Sequence, residues 1–277
     1  ARRRRETGEI TMPDAGSGIT FKRRVMEIGG VELELHEGGD GPPLLYLHSG
    51  GGFRPQHPAM PLLMERHRVI APSHPGFGHS SLPDWMNSVD DFAHVYLELM
   101  QRLDLRDTLL IGASIGGWVA AELAAWNTSR LSRLVLIGPS GIKVGSRDQL
   151  DIPDIFAMAP DEFEKRLFRN PEKFHPDFTK MDEAALQVVA RNRQTMALIA
   201  WEPYLHNPKL RRRLQTIDVP TLVVRGAYDG LISAEYAKAY TDLIPGAVYR
   251  EIAEAGHAPD VEQAQDFANT LLTWMES

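Results

Sequence analysis

The run Leu109-Leu110-Ile111-Gly112-Ala113-Ser114-Ile115-Gly116-Gly117 constrains this chain more than any other stretch. An apolar segment ends in Gly-x-Ser-x-Gly, and a helix-forming segment follows at once. A strand, a sharp turn and a helix packed back on that strand require this order. Such a turn holds Ser114 in a strained backbone conformation, with φ expected above zero, which a residue with a side chain rarely adopts. Its neighbours must be small for strand and helix to approach, and Gly112, Ala113, Gly116 and Gly117 are small. The turn sets Ser114 Oγ at a helix N-terminus, where free N–H groups and the helix dipole favour developing negative charge. Taken alone, the pentapeptide also fits a glycine-rich turn carrying an inert serine, so the rest of the chain has to decide.

Composition narrows the classes. The 277 residues suggest one or two domains, and 43% hydrophobic with 24% charged is ordinary for a globular protein. A net charge of −7 argues against nucleic acid as a partner. The basic run Arg2-Arg3-Arg4-Arg5 is followed by a polar stretch rather than the apolar one that a twin-arginine signal needs. Residues 1–18 therefore read as a flexible, solvated tail. The absence of cysteine excludes disulfides, thiolate metal sites and a cysteine nucleophile, and favours the cytoplasm. Leu109 to Trp126 is long and apolar, but its glycines and the turn within it argue against a membrane span.

Along the chain, Phe21 to Ile28 and Val31 to His36 read as strands joined by a Gly29-Gly30 hairpin turn. Further strands are expected at Leu44 to Leu47, Arg68 to Ala71, Leu134 to Ile137, Thr221 to Arg225 and Val248 to Ile252. Helices are expected at Pro58 to Arg66, Val89 to Leu103 with Ser88 as N-cap, the segment after Ser114 to Trp126, Ala234 to Leu243, and Val261 to Trp274. From Lys143 to Gln215 no strand signal appears and proline punctuates often. That stretch is too long for a structureless loop and reads as an inserted helical cap, 143–215, in a core made of 19–142 and 216–277. Alternating strands and helices give an α/β fold, a mostly parallel sheet covered on both faces, whose sites form beyond the carboxyl ends of the strands.

A serine hydroxyl needs a base to take its proton, and the base needs an orienting acid. Of ten histidines, His257 fits best, between the last expected strand and the last helix. His36, His67, His94, His175 and His206 fall in strands, helices or the cap, whereas His57, His74 and His79 lie in loops and stay as alternatives. No H-E-x-x-H spacing occurs, so no metal is expected. Asp229, after strand Thr221 to Arg225, supplies the acid in the order Ser, Asp, His. A turn aspartate before Gly230 is the plainer alternative for it. Asp260 competes as the acid, but it is expected to cap the last helix.

His48-Ser49-Gly50-Gly51-Gly52, Pro75-Gly76-Phe77-Gly78-His79-Ser80, Gly112-Ala113-Ser114-Ile115-Gly116, Asp229 and Gly256-His257 together resemble the α/β-hydrolase superfamily, in particular its capped bacterial esterase-like members. The resemblance covers roughly Phe21 to Met275. It implies an oxyanion hole from the backbone N–H groups of Gly50 and Ile115. Gly51 is a candidate substrate contact, and so is Trp201, near Pro203 where the cap returns to the core, with core packing as the competing reading of Trp201. Ser49 stands where the family usually has glycine, and Ser73 where it often has aspartate. Members that open epoxides or remove halide carry aspartate at the elbow, so Ser114 points to acyl transfer without cofactor or metal. The expected activity is hydrolysis of small, apolar or uncharged carboxylic esters by a monomer or homodimer. Carbon–carbon bond hydrolysis of ring-cleavage products is the runner-up, and a ligand receptor on the same fold is the third reading.

Overall fold

The computed structural model describes residues 10–13, 20–174 and 176–277, with only the backbone path given for 10–13. Among the described residues, nine strands form one sheet: β1 (Ile10–Pro13), β2 (Thr20–Ile28), β3 (Val31–Gly38), β4 (Pro43–Leu47), β5 (Arg68–Pro72), β6 (Thr108–Ala113), β7 (Leu131–Ile137), β8 (Thr221–Gly226) and β9 (Val248–Ile252). Their order is β1-β2-β3-β5-β4-β6-β7-β8-β9. The pairs β1·β2, β2·β3 and β3·β5 are antiparallel, and every later pair is parallel. The α/β fold, a mostly parallel sheet between helices, is therefore as the sequence indicates. Ile10–Pro13 extend the sheet edge by pairing with β2, so the segment read as a tail to residue 18 contains a strand. The Arg2–Arg5 run lies outside the described residues, as does His175.

The helices are α1 (Ala59–Met64), α2 (Val89–Arg102), α3 (Ile115–Trp126), α4 (Pro160–Leu167), α5 (Pro171–Phe174), α6 (Glu183–Ala200), α7 (Leu210–Arg213), α8 (Ala234–Leu243), α9 (Pro259–Glu262) and α10 (Ala264–Met275). Between β7 and β8, residues 143–215 carry α4 to α7 and no named strand among the described residues. The single C-terminal helix expected from the sequence is two, broken at Gln263, whose φ of −132° and ψ of 54° are not helical. None of the described helices is long and apolar enough to cross a membrane.

Strand alternation explains the apolar runs. Leu45, Leu47 and Leu110 face the layer of α2, α3 and α8, whereas Leu44, Tyr46, Leu109, Ile111 and Ala113 face that of α1 and α10. Both faces are covered, so the central strands read as continuous hydrophobic runs rather than alternating ones. Each large side chain buried this way contributes about 1.5–3 kcal/mol. Helix α2 starts as expected: Ser88 accepts from Asp91 N–H, and Asp91 accepts from Ser88 N–H, a reciprocal cap.

One buried carboxyl ties α3 to Asn207 and Arg213, in the segment between β7 and β8. Glu122 Oε1 accepts from the Trp118 indole N–H at 3.1 Å and from Asn207 Nδ2 at 2.8 Å, and Oε2 lies 3.5 Å from Arg213 Nη1. Burial, reinforced by the charge of Asp90, pushes the Glu122 carboxyl up to about 7 despite those donors and Arg213.

Candidate active site

Ser114 follows β6 and occupies the N-cap position of α3 with φ 55° and ψ −116°. For a residue with a side chain this costs about 1–3 kcal/mol and persists only where the surroundings enforce it. They do so here through the backbone. Ser114 N–H donates to Ile137 O at 2.8 Å, and Ser114 O accepts from Trp118 N–H at 3.1 Å and Ser140 N–H at 3.3 Å. The helix can pack this close because two side chains are missing. A Cβ on Gly112 would lie 2.3 Å from Gly116 O, and one on Gly116 would lie 2.2 Å from Leu47 O.

Asp229 follows β8 and is buried. Its Oδ1 accepts from Leu231 N–H and Ile232 N–H, both at 2.8 Å, as a turn aspartate would. Its Oδ2 accepts from His257 Nδ1 at 2.9 Å. One carboxylate oxygen is thus bound as in a turn aspartate, and the other accepts from His257. Arg225, which the sequence reading passed over, braces this loop. It donates to Asp229 O at 3.0 Å and Ile232 O at 2.7 Å and pairs with Glu251 at 3.0 Å. The signal for it was a charge lodged between Val224 and Gly226 in an apolar strand.

His257 follows β9 and is buried, with Nε2 making no hydrogen bond among the described residues. Burial alone would lower its pKa. The charge and hydrogen bond of Asp229, with a further contribution from the Asp260 charge, outweigh burial and hold it above the ordinary histidine value. Ser114 and this pair both border the end of β7. Ser114 is bonded to Ile137, and the next residue, Gly138, sits where an added Cβ would be 3.1 Å from His257 Nδ1 and 3.3 Å from Asp229 Oδ2. His257 N–H donates to Leu167 O at 2.7 Å and Gly230 N–H to Arg166 O at 3.0 Å. The last carbonyls of α4, which have no partners within their own helix, are thereby used by the two loops that carry Asp229 and His257.

Asp260 does not cap a helix, contrary to the expectation for it. No side-chain cap is made by Ala258 or Gln263, the N-cap residues of α9 and α10. Instead Asp260 Oδ2 accepts from Tyr46 Oη at 2.6 Å and lies 3.3 Å from His57 Nε2. Those contacts hold its carboxyl below the usual carboxylate range even though burial acts the other way. Tyr46 in β4 bonds to Asp260, and His257 bonds to Asp229.

The glycine loop after β4 is fixed by two buried neutral histidines. His74 N–H donates to His48 Nε2 at 2.9 Å, so His48 carries its proton on Nδ1 and donates to Ser49 O at 2.6 Å. His74 Nε2 donates to His48 O at 2.8 Å, and its Nδ1 accepts from Tyr96 Oη at 2.5 Å. Burial pushes His74 down to about 4 and His48 well below the ordinary value, so both stay uncharged at neutral pH. A trans peptide points its C=O and N–H in opposite directions. Fixing Ser49 O therefore aims Gly50 N–H. The loop from Ser73 to His79 is held by buried Glu34, which accepts from Ser73 Oγ at 2.7 Å and His79 N–H at 3.1 Å and pairs with Arg23. Ile115 is the first residue of α3, Gly51 is exposed, and Trp201 ends α6 with 56% of its surface exposed and its ring on Phe156 at 5.4 Å between centroids.

A sequence model of the α/β hydrolase fold matches residues 42–262. The chain is 27% identical to a 2-hydroxymuconate semialdehyde hydrolase of Pseudomonas sp. (strain CF600), over 87% of this chain and 89% of that protein. It is 28% identical to a pimeloyl-[acyl-carrier protein] methyl ester esterase of Vibrio cholerae, over 84% of this chain and 94% of the esterase. Among solved structures it superposes on a 2-hydroxy-6-oxo-6-phenylhexa-2,4-dienoate hydrolase from Rhodococcus sp. strain RHA1 with a TM-score of 0.76. The match covers 94% of this chain and all of that one at 19% identity, a likeness of fold. The chain belongs to the α/β hydrolase fold family.

Proposed function

We propose that this α/β hydrolase cleaves carboxylic esters through an acyl-enzyme, with Ser114 as nucleophile, His257 as base and Asp229 as its orienting acid. The observation that carries the reading is Ser114 itself. It is a strained serine at a helix N-terminus, bonded through its N–H to the strand end on which the His257–Asp229 pair rests. In the reaction His257 Nε2 takes the Ser114 proton as Oγ bonds to the ester carbonyl carbon. The carbonyl oxygen becomes an anion, received by the Gly50 and Ile115 N–H groups. The carbonyl re-forms, the alcohol leaves with the proton from His257, and water repeats the sequence to release the acid.

An uncharged substrate is favoured by what lines the glycine loop. A Cβ on Gly50 would meet Met196 Sδ at 3.3 Å, an apolar neighbour. The nearby cation Arg191 is turned onto the carbonyls of Gly78 and Ser80. A carbon–carbon hydrolase is the second reading, supported by similarity along nearly the whole chain to the semialdehyde hydrolase. Measuring kcat/KM on a short-chain p-nitrophenyl ester beside a ring-cleavage dienoate separates the two. Turnover of the ester without the dienoate is expected, and the reverse refutes the ester assignment. A fluorophosphonate should add once, on the peptide containing Ser114, and Ser114→Ala should be inert. Labelling elsewhere or an active Ser114→Ala removes the nucleophile.

A further inference from the structure

Helix α6 lies with one face against two loops of the site. Residues 191, 192, 195 and 196 share that face by helical spacing. Arg191 donates to Gly78 O at 3.2 Å and to Ser80 O, and Thr195 Oγ1 donates to Gly76 O at 2.9 Å. Asn192 is buried and uses both ends of its amide. Nδ2 donates to Gly51 O at 3.1 Å, and Oδ1 accepts from Gly78 N–H at 3.0 Å. One partner is a carbonyl and the other an N–H, so the reversed amide would set donor against donor. The loop passes directly over this amide: a Cβ on Gly52 would lie 2.4 Å from Asn192 Nδ2.

His48 fixes the Ser49–Gly50 peptide from beneath by donating to Ser49 O, and the same oxygen accepts from Gly52 N–H at 3.0 Å. Asn192 holds the other side of the Gly51–Gly52 peptide through Gly51 O, so the turn that carries Gly50 N–H is gripped from both ends. We propose that Asn192 is a positioning residue that keeps the glycine loop in the geometry that stabilises the oxyanion, tying that geometry to the inserted helical segment. The inference rests on the ester-cleaving reading of the same site. Asn192 touches no reacting atom. It acts through Gly51, so its loss lowers kcat more than it raises KM.

The test compares wild type, Asn192→Leu, Asn192→Asp and Thr195→Val. Two rates are measured, p-nitrophenyl butyrate turnover and phosphonylation of Ser114 by a fluorophosphonate. In the second reaction Oγ bonds to phosphorus, fluoride leaves, the proton passes to His257, and negative charge develops on a phosphoryl oxygen in the same loop. Both Asn192 variants are expected to lose about 10- to 100-fold in kcat and in phosphonylation rate, the scale of a misplacement of about 1 Å. KM and the midpoint of the pH profile should stay near wild type, since His257 and Asp229 are untouched. Thr195→Val removes an α6 bond to the other loop and should change both rates by less than about twofold. A folded Asn192 variant phosphonylated at the wild-type rate overturns the proposal. So does an equal slowing in Thr195→Val, which would mean general loosening, or failure of both Asn192 variants to fold, which would make Asn192 structural. If wild type is phosphonylated at Ser114 but turns over no ester, the ester reading fails and the phosphonylation rates alone decide Asn192. If wild type is not phosphonylated, both fall.

Discussion

Replacing Asp229 by asparagine should stop catalysis without unfolding the protein, and the structure says why. The new side chain has the same shape, but only one of its two amide orientations fits. Asp229 Oδ1 accepts two backbone N–H groups, from Leu231 and Ile232, each at 2.8 Å. An amide nitrogen placed there would leave both donors buried and unpaired, at about 1–3 kcal/mol each. The amide oxygen therefore keeps that position, and the NH₂ group takes the place of Oδ2, 2.9 Å from His257 Nδ1. Facing a donor, Nδ1 must accept, and the ring proton moves to Nε2, the nitrogen proposed to take the Ser114 proton. The expected loss is about 10³–10⁴ in kcat, or about 4–5 kcal/mol of transition-state stabilisation. Asp229→Asn also removes the charge that holds the His257 pKa up against burial, so the residual activity should have its acid limb at lower pH. Arg225 grips the Asp229 carbonyl rather than its side chain, so the loop should survive. Steady-state kinetics across pH and thermal unfolding of Asp229→Asn and Asp260→Asn provide the check. A loss of less than tenfold in Asp229→Asn, or a larger loss in Asp260→Asn, would refute the assignment of the acid.

In the wild type, kcat/KM should fall in acid with a midpoint above about 6.5, because His257 bound to a proton cannot accept another; a profile flat from about pH 5.5 to 8 contradicts a histidine base. Glu122 ionises near 4.5 when unfolded and about 7 in the fold, so the native state holds the extra proton between those values and stability falls as pH rises through that window. Glu122→Gln keeps the acceptor for Trp118 and Asn207, and its Tm should decline less than that of wild type between about pH 5 and 8; parallel declines would show that Glu122 does not titrate there. Trp201→Ala should change stability by no more than about 0.5 kcal/mol, since the ring is 56% exposed; a loss near the 3–5 kcal/mol of a buried tryptophan, measured by denaturant unfolding, would refute that.

Features that depend on neighbouring residues were legible in the sequence. The elbow is one, because Gly112, Ser114 and Gly116 must share one turn and the apolar run before them can only be a strand buried on both faces. Another is the Gly29-Gly30 turn, where φ values of 57° and 83° suit a tight hairpin that glycine forms without strain. The reciprocal cap at Ser88 and Asp91 is a third. Composition and periodicity also separated the stretch 143–215, which has no named strand among the described residues, from the strands on either side. Tertiary structure decided whatever depends on which distant segments meet. Chain order favoured Asp229 over Asp260, which read as a helix cap. Only the fold shows Asp260 bonded to Tyr46 of β4 and Asp229 bonded to His257. Asn192 reads as one polar residue on an amphipathic helix, since its partners Gly51 and Gly78 lie 141 and 114 positions away. Periodicity reports which face of a helix turns inward. It carries no information about which loop that face will meet, because long-range packing fixes the meeting once the sheet has formed.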